Sequence, residues 1–243
     1  MHVHFIQHED FEAPGAYLDW AVERQHTITF SRVYRYDVLP LDCTAIDLLV
    51  IMGGPQSPDS PQQTYSYYNA SDEIALITQC IHAGKAVVGV CLGAQLIGQA
   101  MGATYEPSPE KEIGVFAIQL TEDGLQDRKI RHFGKFLPVG HWHNDMPGLS
   151  PASQVLAVSA GCPRQIVRYT DLVYGFQCHM ELNSEVVELL IQAEKDLLRK
   201  SKLHRFVQTP DQIRSYDYTE MNNKLFQFLD HLEAAYQHTK NNF

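Results

Sequence analysis

Apolar and amphipathic stretches alternate along the first hundred residues of the chain. The β-branched or apolar runs predict strands at residues 2–7, 27–34, 45–54 and 85–90. The amphipathic stretches between them predict helices at residues 16–25, 71–84 and 92–102. This alternation is typical of βαβ units around a parallel sheet. The runs at 47–52 and 86–90 are nearly all apolar, which indicates central strands covered on both faces.

Residues with known preferences for helix ends support these boundaries. Ser71, which is followed by two acidic residues, suits a helix start, whereas Gly84 and Gly102 follow the last periodic residues of their helices. The segment 55–68 is rich in Pro, Ser, Gln and Tyr, and this composition predicts a loop.

The pattern changes to short strands and turns after about residue 103. Strand candidates lie at residues 115–120, 154–160, 165–169 and 172–179. Helix is predicted from 185 to 200 and again, after Thr209-Pro210-Asp211, in a stretch ending near Tyr236. The sequence therefore predicts an α/β fold with a mixed sheet. We interpret residues 1–200 as one domain and residues 201–243 as a helical C-terminal extension packed on the same domain.

Composition and charge exclude several classes of function. A chain of 243 residues with 44% hydrophobic content can bury the core of a single domain. The formal net charge of -10 argues against nucleic acid and anionic membranes, because phosphate groups are bound by clustered Lys and Arg. No signal-like or membrane-spanning apolar stretch occurs, so the expected location is cytoplasmic. The five scattered cysteines suggest neither a disulfide framework nor a zinc site, which leaves a reactive thiol to be considered.

One cysteine occupies a position suited to a nucleophile. Cys91 lies where an apolar strand ends and a helix begins, with Gly89 and Gly93 two residues to either side. A sharp strand-to-helix turn requires such small neighbours, and the helix N-terminus favours a thiolate. A small buried core residue is the alternative interpretation of Cys91. Gln95 lies about one turn further along the same helix face, where it either holds a substrate or fills a packing gap.

A second segment offers a base and a group to orient it. His179 and Glu181 follow an apolar strand, and in an extended chain their side chains project to the same face. The carboxylate can fix the imidazole tautomer and leave the other ring nitrogen free to exchange a proton with a thiol. A solvated surface pair is the alternative. In a parallel α/β sheet, however, sites gather at the carboxyl ends of strands, which favours a joint site with Cys91.

Attack on a carboxamide also requires donors for the oxyanion. The N–H of Leu92, directly after Cys91, is one candidate. The other is the Gly53-Gly54 turn at the end of the 45–54 run, where glycine lets backbone approach a ligand closely, although a plain tight turn would have the same sequence.

At this point the sequence resembles the class I glutamine amidotransferases, especially the glutaminase domain of GMP synthases. The resemblance rests on MGGP at 52–55, GVCLGAQLIGQAMGA at 89–103, HWHND at 141–145, CPRQIVRY at 162–169 and YGFQCHMEL at 174–182. One departure is that family members usually have the sequence F-H-P-E where this chain has Cys178-His179-Met180-Glu181.

The resemblance implies a flavodoxin-like α/β core with a mostly parallel sheet, flanking helices and no cofactor. It implies a catalytic triad of Cys91, His179 and Glu181. It also implies that Gly54 and Leu92 surround the oxyanion. The implied substrate-binding residues are Gly53, Gln95, Asn144 and Asp145.

The expected activity is hydrolysis of the γ-amide of glutamine or of a γ-glutamyl compound through a γ-glutamyl thioester. Only 62 residues follow Glu181, so any ammonia acceptor is expected on another chain, a synthase subunit in trans. The alternatives are a free-standing γ-glutamyl peptide hydrolase and a non-catalytic or redox-sensing α/β module in which Cys91 is oxidised. A homodimer through the apolar C-terminal helix is a further possibility.

No metal is expected from the sequence. His2 and His4 share a strand face, as do His141 and His143, but no cysteine or carboxylate cluster is expected to join either pair.

Overall fold

A computed structural model describes residues 1–240 of the chain. Its strands are β1 (His2–Gln7), β2 (Thr27–Arg32), β3 (Leu48–Ile51), β4 (Ala86–Val90), β5 (Glu106–Leu120), β6 (Phe136–Met146), β7 (Gln154–Val158), β8 (Ile166–Thr170), β9 (Val173–Phe176) and β10 (Phe206–Val207). Its helices are α1 (Gly15–Glu23), α2 (Ala70–His82), α3 (Leu92–Ala100), α4 (Glu122–Gln126), α5 (Ser184–Ala193), α6 (Leu197–Leu203), α7 (Pro210–Arg214) and α8 (Thr219–Lys240).

All the strands belong to one mixed sheet. Along the sheet their order is β10-β5-β7-β8-β9-β4-β3-β1-β2, with β6 paired to β5. The strands β2, β1, β3, β4 and β9 run parallel, and β8, β7, β5 and β6 extend the sheet through antiparallel pairs. The predicted mixed sheet with β3 and β4 at its centre is confirmed. The parallel order 2-1-3-4-9 has the flavodoxin-like topology, in which ligands bind beyond the carboxyl ends of the strands.

The two faces of the sheet bury separate apolar clusters. Alternate residues of β4 point to opposite faces, so Val88 packs in the cluster under α1 and α8, whereas Val87 packs in the cluster under α2 and α3. Burial on both faces explains why β3 and β4 are almost entirely apolar. The described residues contain no helix long and apolar enough to cross a membrane.

The C-terminal helix α8 covers one of these faces. Leu225, Phe228 and Leu229 are fully buried, and the Phe228 ring packs edge-on against Tyr174 and Phe176. These apolar side chains of the C-terminal helix, which suggested a homodimer contact, are thus buried against the same chain. This packing supports our proposal that residues 201–243 form an extension on the 1–200 domain, although 241–243 lie outside the described residues.

The second half of the chain differs from the sequence prediction in several places, and the helix predicted after Thr209-Pro210-Asp211 is divided into α7 and α8. The strand predicted at 115–120 begins at Glu106, and its partner β6 has no counterpart in the prediction. Both strands carry prolines and polar side chains that obscure the period-2 pattern. The single helix predicted at 185–200 is divided into α5 and α6, because Glu194 is extended and Asp196 has a left-handed backbone.

Candidate active site

Cys91 lies on a strained turn between β4 and α3. Its backbone has φ 51° and ψ -108°, a conformation that L-residues rarely adopt. A β-carbon on Gly89 would meet the backbone of Gly93, and a β-carbon on Gly93 would meet the backbone of Ile51 in β3. The close approach of three backbone segments therefore requires both glycines, as the sequence spacing predicts.

His179 and Glu181 form a fully buried pair just beyond β9. The Nδ1 of His179 donates to Oε1 of Glu181 across 2.6 Å, and the backbone N–H of His179 donates to the carbonyl of Gly140 across 2.8 Å. This geometry assigns the proton to Nδ1 and leaves Nε2 unpaired among the described residues.

The Cys91 thiol and the imidazole of His179 interact electrostatically. Burial by itself lowers the pKa of His179, yet the pKa is raised well above its ordinary value because the carboxylate of Glu181 and the sulfur of Cys91 favour the imidazolium. The same sulfur lies 3.8 Å from the carbonyl oxygen of Trp142, and Cys91 is 6% exposed. The geometry thus unites a thiol, a strong base and a carboxylate.

A cavity of about 280 Å³ opens onto Cys91. Among the residues that line it are Glu12, Gly54, Cys91, Gln95, Asn144 and Asp145. Gln95 donates through Nε2 to Oε1 of Gln177 at 3.3 Å, whereas its own Oε1 is buried without a partner among residues 1–240. An unpaired acceptor at a cavity favours the interpretation that Gln95 binds a ligand over the interpretation that it fills a packing gap.

The two candidate oxyanion donors flank the thiol. Leu92 is the first residue of α3, so its N–H has no acceptor within the helix. Gly54 lines the cavity, and a β-carbon there would lie 3.0 Å from the Cβ of His8 and 3.2 Å from Cδ2 of Leu92. Gly53 lies behind this wall, where its carbonyl accepts from Nδ1 of His8 at 3.0 Å.

Three groups at this site were missed from the sequence. His8 forms a buried ion pair with Glu73 at 2.8 Å and so secures the Gly53-Gly54 turn. Glu12 lines the cavity beside Cys91, and Trp142 contributes its carbonyl. His8 and Glu12 follow the carboxyl end of β1. This position could have identified them as candidates for the site, because ligand sites in parallel sheets gather at the carboxyl ends of strands.

One expectation about metal ligands is wrong. Nδ1 of His141 lies 3.5 Å from Nε2 of His143, and Oε2 of Glu112 lies 3.6 Å and 3.3 Å from these nitrogens. A carboxylate therefore does join the histidine pair, because β5 pairs with β6 and sets Glu112 opposite His143. Imidazole and carboxylate groups are ligands for divalent ions, so this buried cluster has donors that could hold one.

Protein donors already satisfy the Glu112 carboxylate. It accepts from the Ser159 hydroxyl at 2.8 Å and 2.9 Å and from Nε2 of Gln165 at 2.6 Å. Burial raises the pKa of Glu112, but these partners and the two imidazoles outweigh burial and lower it overall. The cluster is therefore a buried hydrogen-bonded network beside Asn144 and Asp145, in which Nδ1 of His143 and Oε1 of Gln165 have no hydrogen-bond partner among residues 1–240.

Comparisons with known proteins identify the family of the chain. The family model described as glutamine amidotransferase class-I matches residues 19–193. The glutamine amidotransferase-like protein YfeJ of Salmonella typhimurium is 51% identical over 236 residues, which cover 97% of this chain and 99% of that protein. The GMP synthase of Tolumonas auensis is 27% identical over 150 residues, which cover 58% of this chain and 26% of that protein.

Solved structures show the same fold. The crystal structure of SMU.1228c is 50% identical, has a TM-score of 0.95, and the match covers 96% of this chain and 100% of that chain. A glutamine amido transferase from Methylobacillus flagellatus is 25% identical with a TM-score of 0.85, and the match covers 96% of this chain and 94% of that chain. The flavodoxin-like α/β fold is thus confirmed, and the chain belongs to the class I glutamine amidotransferase family.

Proposed function

We propose that this protein hydrolyses the γ-amide of glutamine or of a γ-glutamyl compound through a thioester on Cys91. The observation that carries the proposal is that Cys91 lines a cavity and acts electrostatically on the imidazole of His179, which is hydrogen-bonded to Glu181. The nucleophile lies on a strained turn, and the base is held by a 2.6 Å hydrogen bond to a buried carboxylate. This arrangement has the logic of a cysteine–histidine–acid triad.

The proposed reaction proceeds in two steps. His179 takes the thiol proton, Cys91 attacks the γ-carbonyl, and the imidazolium then donates its proton to the departing nitrogen, which leaves as ammonia or an amine. The raised pKa of His179 favours the uptake of the thiol proton because it stabilises the imidazolium. Water then attacks the thioester with His179 again as base, which restores the thiol and releases a glutamate carboxylate.

The cavity walls have separate proposed roles. The N–H groups of Gly54 and Leu92 stabilise the oxyanion, since both flank Cys91. Gln95 and the backbone near Asn144 and Asp145 bind the amino and carboxylate groups of the glutamyl moiety. The unpaired Oε1 of Gln95 supports this role because it can accept from an ammonium group.

A synthase partner is the second candidate context. A Pyrococcus abyssi protein, named as one of the subunits of a glutamine-hydrolyzing GMP synthase, is 31% identical over 98 residues, which cover 40% of this chain and 50% of that protein. That similarity favours a glutaminase that delivers ammonia to a separate chain over a redox-sensing module.

Glutamate release distinguishes these contexts. We expect release from glutamine or from γ-glutamyl dipeptides by wild-type protein, measured with glutamate dehydrogenase. Robust peptide cleavage identifies a free-standing γ-glutamyl hydrolase. Weak turnover together with labelling of Cys91 by a glutamine-like chloroketone identifies a glutaminase that awaits a partner. The absence of both turnover and labelling would eliminate the proposed function.

Removing divalent ions is expected to leave this turnover unchanged. The Glu112 carboxylate already accepts hydrogen bonds from Ser159 and Gln165, and the proposed steps use only side chains and water. Rates are measured before and after dialysis against a chelator, with metal content determined on the same samples. A stoichiometric metal whose removal stops turnover, and whose return restores it, would contradict this expectation.

A further inference from the structure

The loop between β1 and α1 carries a carboxyl group into the cavity. Glu12 is only 6% exposed and lines the cavity with Cys91 and Gln95. No hydrogen bond or ion pair within residues 1–240 engages its carboxyl oxygens, in contrast to the neighbouring acid Glu9, which accepts from Tyr67 and Gln56. A buried carboxyl without a partner at a cavity is costly unless a ligand pairs with it.

This carboxyl lies near the β-carbon of Cys91. Oε2 of Glu12 lies 2.5 Å from the point that a β-carbon on Gly53 would occupy, and the Cβ of Cys91 lies 3.3 Å from the same point. The absence of a side chain at Gly53 therefore leaves room for the Glu12 carboxyl beside the nucleophile.

Both ends of the loop are anchored to the catalytic groups. At its start, Nδ1 of His8 donates to the carbonyl of Gly53 at 3.0 Å. At its end, the N–H of Ala16 donates to the carbonyl of Glu181 at 3.0 Å. These bonds fix the position of Glu12 relative to Cys91 and to the base.

Glu12 also lies within electrostatic reach of the base. Burial is the main reason that the pKa of Glu12 is raised to about 7, and after burial the groups that act most strongly on this carboxyl are His179 and Glu181. His179 is the group that protonates the departing nitrogen in the proposed reaction, and the bond from Ala16 to Glu181 holds the loop against this pair. The loop that carries Glu12 therefore packs against the part of the triad that handles the departing nitrogen.

We propose that Glu12 forms a subsite for the amine of the leaving group, in which its carboxylate accepts an N–H from the departing nitrogen. This inference rests on the proposed function and defines which half of the substrate Glu12 contacts. A charge-assisted hydrogen bond retains the amine beside the thioester, whereas water needs no such partner.

An amine held there can also attack the thioester. The amine nitrogen forms a bond to the γ-carbonyl carbon, the C–S bond breaks, the amine proton passes to His179, and the imidazolium returns a proton to the Cys91 thiolate. The result is transfer of the γ-glutamyl group to the amine, which is acylation run in reverse with a new acceptor. Glu12 thereby sets the partition between transfer and hydrolysis.

The test measures this partition in wild type and in Glu12→Gln. The donor is glutamine or the γ-glutamyl peptide that wild type turns over, and glycinamide is the added amine. Products are γ-glutamyl-glycinamide and glutamate, quantified by mass spectrometry. We expect the transfer-to-hydrolysis ratio to fall about tenfold in Glu12→Gln, because a neutral amide accepts more weakly than a carboxylate. The ratio is independent of the fraction of folded enzyme, so a loss of stability cannot produce the change.

The control is Asp10→Asn in the same loop, since Asp10 contacts Tyr34 and Arg35 on the exposed surface. It should keep the wild-type ratio. If wild type turns over the donor but Glu12→Gln has the same transfer-to-hydrolysis ratio, the subsite is overturned and the proposed function stands. The same holds if wild type forms no transfer product at any glycinamide concentration. Absence of Cys91-dependent turnover in wild type overturns the proposed function and this inference with it.

Discussion

Replacement of Cys91 by alanine is expected to lower glutamate release by about 10⁴-fold or more while the fold persists. Loss of a nucleophile removes the covalent route entirely, and only binding and oxyanion stabilisation remain. The thiol lies 3.8 Å from the Trp142 carbonyl and interacts electrostatically with His179, and we expect the loss of these two interactions to take little from the stability of the fold. The rate is measured with saturating substrate, and thermal denaturation reports on folding.

Cys80→Ala is the matched control for this substitution. Cys80 is also buried and also lies in the apolar core, but burial raises the pKa of its thiol to about 12, so it is protonated and unreactive at neutral pH. This variant should retain the wild-type rate. Full activity in Cys91→Ala, or an equal loss in Cys80→Ala, would contradict the assignment of Cys91 as nucleophile.

The parts of the site that the sequence predicted share a property. Gly89, Cys91 and Gly93 lie within five residues, and His179 and Glu181 lie two apart just beyond β9. Their short spacing is why the sequence alone predicts the elbow in one case and the 2.6 Å pairing in the other. Tertiary structure was needed only to bring the two segments together, which the parallel order of β4 and β9 does.

The parts that escaped sequence analysis depend on contacts between distant segments. Glu112 meets His143 only through the pairing of β5 with β6, and those strands have too many polar residues to be recognised. His8 meets Glu73 across 65 positions of sequence. Spacing along the chain carries no information about such pairs, since each lies on a different element.

The buried polar groups also explain why β6 has an unusual composition. His141 and His143 point inward, where Nε2 of His141 pairs with the carbonyl of Phe116 and Nε2 of His143 pairs with Glu112. This arrangement places polar residues on the buried side. In β6 the alternation of apolar and polar residues therefore no longer identifies which face of the strand is buried. The buried cluster of Glu112, His141 and His143 thus accounts for a local violation of strand patterning.

The substitution Gly93→Ala is expected to lower the stability of the fold by a large amount. The β-carbon of alanine would lie on the carbonyl oxygen of Ile51, 2.8 Å from its carbonyl carbon and 2.9 Å from its Cβ. Alanine is the better helix former by about 1 kcal/mol, which works in the opposite direction. The clash is with backbone at the centre of the sheet, where Ile51 pairs with both Ile6 and Gly89, so neither segment can shift.

We therefore expect Gly93→Ala to lower the free energy of unfolding by about 3 to 5 kcal/mol, measured by urea denaturation. Gly84→Ala is the control, because Gly84 has φ +67° with no atom within 4 Å of an added β-carbon. Alanine there costs about 1 to 2 kcal/mol for the left-handed backbone alone. Equal losses in the two variants would contradict the clash between Gly93→Ala and Ile51; a clearly larger loss in Gly93→Ala ties the strained Cys91 turn to the packing of the central sheet.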